Sequence, residues 1–187
     1  MANFIFNGAL RLIMARDAGA PYIELETQAD GDAENTTADR IRLLLTTVDA
    51  STLTGVRDVE YMDDLEGLAG WAEFSGTGYA AGGGGTVGFL ANARWKPTTI
   101  VAGNNFSYLE ADDVAWGGIN TSTTPIVGCV MWYGDGNKLG VPTSTDIPIA
   151  YFDFAAIADT SDLTMQWGSI PGVTSSAGKG VVLKLTG

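Results

Sequence analysis

The sequence predicts a mainly β fold: an antiparallel β-sandwich of jelly-roll type, with one or two short helices in the N-terminal half. Glycine is abundant at 25 residues and charged residues make up only 17%, a mixture that favours short strands and turns. From residue 89 onward, short apolar segments alternate with turn signals rich in glycine and asparagine, as in sandwiches and barrels. The length of 187 residues and the 45% apolar content suit one domain, residues 1–187, with its own core.

The N-terminal segment is expected to be a short helix or an anchoring arm, covering residues 1–20. Leu10, Ile13 and Met14 fall on one helical face, so we expect a helix that begins near Asn7. Its arginines lie within the apolar stretch instead of before it, and no small-residue cleavage site follows. This pattern does not fit a secretory signal peptide, and we expect the segment to belong to the fold.

The rest of the N-terminal half predicts two strands and a second helix. Residues 22–28 alternate apolar and polar side chains, as a half-buried strand does, and residues 40–48 are typical of a buried strand. Residues 57–70 carry apolar side chains three apart between acidic ones. That spacing indicates a short α-helix or 3₁₀ segment with an acidic outer face.

The C-terminal half predicts strands almost throughout. The expected strands are 89–95, 98–102, 106–111, 113–119, 124–133, 147–154, 163–167 and 180–185. The segment 124–133 is apolar at both alternating sets of positions, which indicates a central strand buried on both faces, with Cys129 as a small core residue. No G-K-[S/T] follows the glycine-rich stretch 80–88, and no strand–loop–helix pattern surrounds it, so it is not a phosphate loop. A surface loop is expected, and a backbone closely approached by another subunit is the alternative.

Composition excludes several classes of chemistry. The chain has no histidine and one cysteine, which excludes a Ser-His-Asp triad, a Cys-His pair and imidazole zinc sites. A net charge of −12 disfavours nucleic acid and anionic membranes as partners. No apolar stretch approaches the length of a membrane span, and no cofactor is indicated.

Adjacent acids at Asp63-Asp64 and at Asp112-Asp113 raise the question of a glycosidase. Neighbours in an extended chain point to opposite faces, so neither pair converges on one substrate atom. We interpret these side chains as turn or edge acids and expect no enzymatic activity.

An acidic loop at 29–39 contains three weak candidate calcium ligands, Asp30, Asp32 and Glu34. Oxygen ligands at alternate positions resemble the start of a calcium loop. The sixth position is Asn35 instead of glycine, and the twelfth is Ile41 instead of glutamate. The EF-hand interpretation therefore fails, while a solvated loop and an irregular site remain as alternatives.

Several segments resemble small virion proteins of tailed bacteriophages. They are FSGTGY (74–79), ADDVAW (111–116), PIVGCVMWY (125–133), IPIAYFDF (147–154) and the closing MQW and GVVLKL. The shared elements have the forms E-x-S-G-x-G-Y, D-D-V-x-W and a final W…G…L-x-L, and none of them is a chemical signature. The resemblance implies a structural component of the virion, assembled in the host cytoplasm, and it carries over no catalytic residues.

Within that class, the sequence favours a capsid cement or decoration protein on the outer surface of the head. It shows neither the repeats of a long fibre nor the basic face of a DNA-contacting part. The expected partners are the major capsid protein or other virion proteins, with self-association as a homotrimer. The alternative is a tail, baseplate or receptor-binding component whose tryptophans stack on sugars.

A cement protein needs exposed apolar or aromatic contact residues. Six candidates lie in the N-terminal segment, beside the glycine-rich stretch or near strand ends: Phe4, Phe6, Leu10, Tyr79, Trp95 and Tyr133. Packing in the protein's own core is the alternative for each of them.

Overall fold

A computed structural model describes most of the β-rich chain. The described residues are 3–14, 41–83, 94–97, 106–119, 124–134, 142, 144–158, 162–168 and 180–186. Strand is their main regular structure, and it is organised in antiparallel sheets with few, short helices between them. The predicted mainly β class is therefore confirmed.

The elements follow one another in an order that places the helices early. They are β1 (Phe4–Ile5), α1 (Asn7–Met14), β2 (Ile41–Thr46), α2 (Met62–Glu66), β3 (Arg94–Pro97), β4 (Phe106–Ala111), β5 (Val114–Trp116), β6 (Ile126–Tyr133), β7 (Ile147–Ile157), β8 (Leu163–Met165) and β9 (Gly180–Thr186). Three single 3₁₀ turns are also present: Ala50–Thr52, Val56–Asp58 and Ala81–Gly83.

The described strands form two sheets and a ribbon. The larger sheet has four strands in the order β1-β7-β6-β2, and the smaller has three in the order β3-β4-β9. Strands β5 and β8 pair as a separate two-stranded ribbon. Every pairing is antiparallel.

Strand β6 is the centre of the core. Seven of its eight residues are buried, which confirms the predicted central strand, and its two neighbours are β2 and β7. Cys129 has no exposed surface, and burial raises the pKa of its thiol, so it is an inert core residue as predicted. Buried residues of β4 and β5 belong to the same hydrophobic cluster.

The helices agree with their sequence patterns. Helix α1 begins at Asn7, the predicted position. In α2, Met62 and Leu65 are buried while the acidic residues are exposed, as the three-residue spacing predicts. Two of those acids lie in the first turn of α2, where negative charge stabilises the helix dipole.

Most predicted strands contain an observed one. The exceptions are 22–28 and 98–102, which lie outside the described residues, as does the first part of 89–95. Strand β7 continues to Ile157, beyond the predicted end at 154, and its register with β6 shifts between Ile126 and Gly128. The longer strand was not foreseen because the apolar pattern does not reveal such an irregularity.

The close approach of β6 and β7 gives a test of this packing. A Cβ added at Gly128 would lie 2.7 Å from two ring carbons of Tyr151, and both residues are buried. Because overpacking forces side chains and backbone to shift, Gly128→Ala is expected to lower the free energy of unfolding by about 2 kcal/mol. Chemical denaturation measures this change. Gly168→Ala is the control, since open space surrounds that position, and equal midpoints for the two variants would contradict the packing.

Candidate functional site

Residues 72–82, which we call the edge segment, cover the side of β2 that faces away from β6. The amide of Phe74 donates to the carbonyl of Leu45 over 2.9 Å, and the amide of Thr47 donates to the carbonyl of Ala72 over 3.1 Å. The Tyr79 hydroxyl accepts a hydrogen bond from the Leu45 amide at 3.1 Å. These bonds satisfy both backbone groups of Leu45 on the outer edge of β2, a strand whose six residues are all buried.

Glu73 organises the edge segment. Its carboxylate accepts hydrogen bonds from the Tyr79 hydroxyl, at 2.6 Å, and from the Gly82 amide. The indole Nε1 of Trp132 donates to the Gly82 carbonyl over 3.2 Å. Glu73 and Tyr79 are the first and last residues of the E-x-S-G-x-G-Y element, so this element is a structural device that fastens the edge segment to β2 and β6.

The electrostatics of this region reflect partial burial of acids. Burial raises the pKa of Glu73, and the hydrogen bonds from Tyr79 and Gly82 oppose that rise. The pKa of Glu66 is also raised, first by burial and then by the negative charges of Glu73, Asp63 and Asp146. Glu73 in the edge segment and Glu66 at the end of α2 therefore hold their protons more firmly than free carboxyl groups do.

A second constellation joins the D-D-V-x-W element to Trp167. The Trp167 amide donates to Oδ1 of Asp113 over 3.1 Å, and its indole Nε1 donates to the carbonyl of Asp112 over 2.9 Å. The Trp167 ring packs on Phe152 with 5.7 Å between centroids. We call these contacts the tryptophan clasp, and they fasten one end of the β5–β8 ribbon.

The contacts of the adjacent acids Asp63-Asp64 and Asp112-Asp113 agree with their interpretation as turn or edge acids. Asp113 holds the amide of Trp167. In the other pair, Oδ2 of Asp64 accepts a hydrogen bond from the Tyr61 amide at the start of α2, at 3.2 Å. Both acids therefore accept hydrogen bonds from backbone amides and have structural roles.

Three of the six candidate contact residues lie in the core, which is the alternative given for each of them above. Phe4 is 8% exposed, Phe6 is fully buried and Tyr133 is 5% exposed. Phe4 and Phe6 are buried because β1 pairs with β7, which places this segment on the sheet. Tyr133 ends β6, the central strand.

The other predicted residues have different positions. Leu10 and Tyr79 are half-buried, and the hydroxyl of Tyr79 is already engaged in the edge segment. Trp95 lies on β3, outside the residues whose side chains are described. The calcium candidates Asp30, Asp32 and Glu34 also lie outside the described residues. Within the described part of the chain, no group of three or more cysteines and acids is placed to hold a metal ion.

The structure adds a surface that the sequence analysis missed. Five apolar side chains on β7, on β8 and two residues after β8 are partly buried against the core and partly exposed, and we call them the apolar face: Phe152, Phe154, Leu163, Met165 and Trp167. The alternation in residues 163–167 signals a half-buried strand. It does not show that this strand stays partly open to solvent.

The four tryptophans whose side chains the structure describes divide into two groups. Trp116 and Trp132 are 1% and 0% exposed, respectively, so they are core residues. Trp71 and Trp167 are half-buried and pack against the core.

Comparisons with known proteins add no relative. A scan against protein-family models, a search of curated proteins and a search of solved structures each gave no match for this chain. The resemblance to virion proteins therefore depends on the short elements given above. Across the described residues, no helix is both long enough and apolar enough to cross a membrane.

The raised pKa of Glu73 predicts how stability depends on pH. The folded state binds this proton more tightly than the unfolded state, so the contribution of Glu73 is fully present below the ordinary pKa of 4.5 and is lost as pH rises through the folded pKa. Glu73→Gln keeps an acceptor for Tyr79 and Gly82 but cannot titrate. We expect its unfolding free energy to fall less steeply with rising pH than that of the wild type, as measured by urea denaturation at several pH values.

A matched variant separates this effect from general damage to the edge segment. Tyr79→Phe retains the Glu73 carboxylate but removes a donor that lowers its pKa, so the decline in stability should extend to higher pH. Glu66 continues to titrate in both variants. Identical pH slopes for the wild type and Glu73→Gln would contradict the assignment.

The tryptophan clasp predicts a local loss of stability. Asp113→Ala removes the acceptor of the Trp167 amide, and we expect the unfolding free energy to fall by about 0.5–1 kcal/mol because water replaces part of the bond at this exposed site. The total tryptophan fluorescence, to which Trp167 contributes, should also shift towards that of a more exposed indole. Gln166→Ala, an exposed neighbour, is the control, and an equal response of both variants would argue against the clasp.

Proposed function

We propose that this chain is a structural protein of a tailed-bacteriophage virion, acting as a capsid cement or decoration protein bound to the outer surface of the head. The observation that carries the proposal is the physical role of the elements that resemble virion proteins. Glu73 and Tyr79 fasten one of these elements, and Asp113 and Trp167 join two others. These elements stabilise the shape of the protein, and a protein that acts by binding other virion proteins requires a stable surface.

Under this proposal the protein is not an enzyme, and its acidic groups serve the fold and the surface. Glu73, Asp64 and Asp113 accept hydrogen bonds within the chain. The net charge of −12 favours basic patches on partner proteins. We propose the major capsid protein or other virion proteins as partners, without nucleic acid or membrane, in virions assembled in the host cytoplasm.

We further propose that the two sheets stack as a jelly-roll-like sandwich within a single domain, residues 1–187. The support is the shared core: Leu109 and Ala111 of β4 are buried in the same cluster as Cys129 and Val130 of β6. Side chains from the facing surfaces of two stacked sheets meet in this way in a sandwich.

The apolar face is the contact surface that we propose for the capsid. Partly exposed aromatic side chains such as Phe152 and Trp167 supply large contact areas. A protein bound across neighbouring capsid subunits stabilises the assembled shell, because it binds that state and not the separated subunits. Trimers match the local three-fold positions of such a lattice.

A second location in the particle has its own support. The half-buried rings of Trp71 and Trp167 are suited to stacking on sugars. They favour a tail, baseplate or receptor-binding component as the alternative to cement.

The position of the chain in purified particles tests the proposal. We expect image reconstruction of the phage that encodes it to place the chain on the outer head surface, and mass spectrometry to find it in the particles. Particles without it should release their DNA at a lower temperature, since the added interface energy is lost. Density in the tail would select the alternative location, and absence from the particles would overturn the proposal as a whole.

A further inference from the structure

We propose that the edge segment, residues 72–82, opens locally while the sheets stay folded, and that the hydrogen bonds of Glu73 with Tyr79 and Gly82 form a latch that holds it closed. Opening uncovers the outer edge of β2, so the latch determines when this strand edge is exposed. The inference goes beyond the proposed function, because it concerns a motion of the chain itself and does not depend on a virion.

The edge segment has few buried contacts with the rest of the fold. Its backbone pairs with β2 through an isolated bridge between Thr46 and Glu73. Within the segment, Phe74 and Gly82 are buried, whereas five residues are exposed: Ser75, Thr77, Gly78, Ala80 and Ala81. By contrast, seven of the eight residues of β6 are buried. Segments with few buried contacts open at a lower free energy than the core does.

The latch ties the two ends of the edge segment together. The Glu73 carboxylate accepts hydrogen bonds from the Tyr79 hydroxyl, at 2.6 Å, and from the Gly82 amide. The same hydroxyl accepts a hydrogen bond from the Leu45 amide of β2 at 3.1 Å. The Tyr79 ring meets the Phe74 ring edge-on, with 5.6 Å between centroids. One carboxylate therefore holds both ends of the segment and the hydroxyl that reaches β2.

The turn between the latch residues closes against the β5–β8 ribbon. The Tyr79 amide donates to the Gly76 carbonyl over 3.3 Å, and Gly78 has a positive φ of 82°. A Cβ at Gly78 would lie 2.6 Å from the carbonyl oxygen of Gly118 and 2.9 Å from that of Gly117. The second glycine of E-x-S-G-x-G-Y is therefore required for the closed position.

Negative charge on Glu73 is opposed by a neighbouring acid, Glu66 at the end of α2. The pKa of Glu66 is raised by its own burial first, and then by the charges of Glu73, Asp63 and Asp146. The charged side chain that β2 contributes is Arg42, four positions from the one that pairs with Glu73, or about 13 Å along an extended strand. Opening moves Glu73 away from Glu66 and relieves the repulsion between them.

Titration of Glu73 makes the latch sensitive to pH. Burial raises its pKa in the closed state, and the hydrogen bonds from Tyr79 and Gly82 oppose that rise. In the open state the carboxyl group is hydrated and regains its ordinary pKa of 4.5. The contribution of Glu73 to closure is therefore fully present below that value, and it is lost as the pH rises through the raised pKa.

Native-state hydrogen exchange of the purified wild-type chain tests the opening. The reporters are two amides that the closed segment protects: Phe74 donates to Leu45, and Thr47 donates to Ala72. After correction for intrinsic exchange rates, we expect their opening constants to exceed those of amides in β6 by about tenfold or more, and to be insensitive to low concentrations of urea. Opening constants and urea dependence equal to those of β6 would overturn the proposal.

The pH dependence of the same two reporters identifies the latch. Between about pH 4 and about pH 7 their opening constants should rise in the wild type, and the rise should be smaller in Glu73→Gln, which keeps an acceptor but cannot titrate. Glu66→Gln is the matched control, and it should retain a rise because Glu73 still titrates. A rise in Glu73→Gln as large as that of the wild type would refute the role of Glu73 in the latch.

A pair of glycine variants tests the docking of the turn on the ribbon. Gly78→Ala places a methyl group against the ribbon, and we expect the opening constants of the two reporters to increase by about tenfold. Gly55→Ala is the control: Gly55 also has a positive φ, 78°, but among the described residues no atom lies within 4 Å of its added Cβ. It should leave the reporters unchanged, and equal effects of the two variants would contradict the docked turn.

Discussion

The backbone groups at the edges of the four-stranded sheet are the constraint on which the rest of this structure depends. An edge strand that is left uncovered can pair with other chains. Strand β2 lies at one edge of this sheet and is apolar apart from Arg42 and Thr46. The edge segment covers it through Leu45 and Thr47. On the opposite side of the sheet, the two-residue strand β1 pairs with β7. The edge segment and β1 are both distant in sequence from the strands that they cover. Their docking determines the positions of Glu73 and Tyr79 at one edge and of Phe4 at the other.

The acidic residues show how a strongly negative chain uses its charge. The carboxylate of Glu73 accepts hydrogen bonds from the Tyr79 hydroxyl and the Gly82 amide. Its partial burial raises its pKa. Asp113 holds Trp167 nearer the surface. Carboxylates that accept such hydrogen bonds have a structural role in this fold.

Local patterns predicted local structure well. The apolar alternation of β6, the three-residue spacing around Met62 and Leu65, and the start of α1 at Asn7 each follow from side-chain periodicity. The sheet partners of Phe4 and Phe6 are Tyr151 and Ile149, more than 140 residues away, and no periodicity within residues 3–14 indicates that this segment docks on β7. The bond between Glu73 and Tyr79 was equally hidden, although their spacing in E-x-S-G-x-G-Y was the signal that could have revealed it.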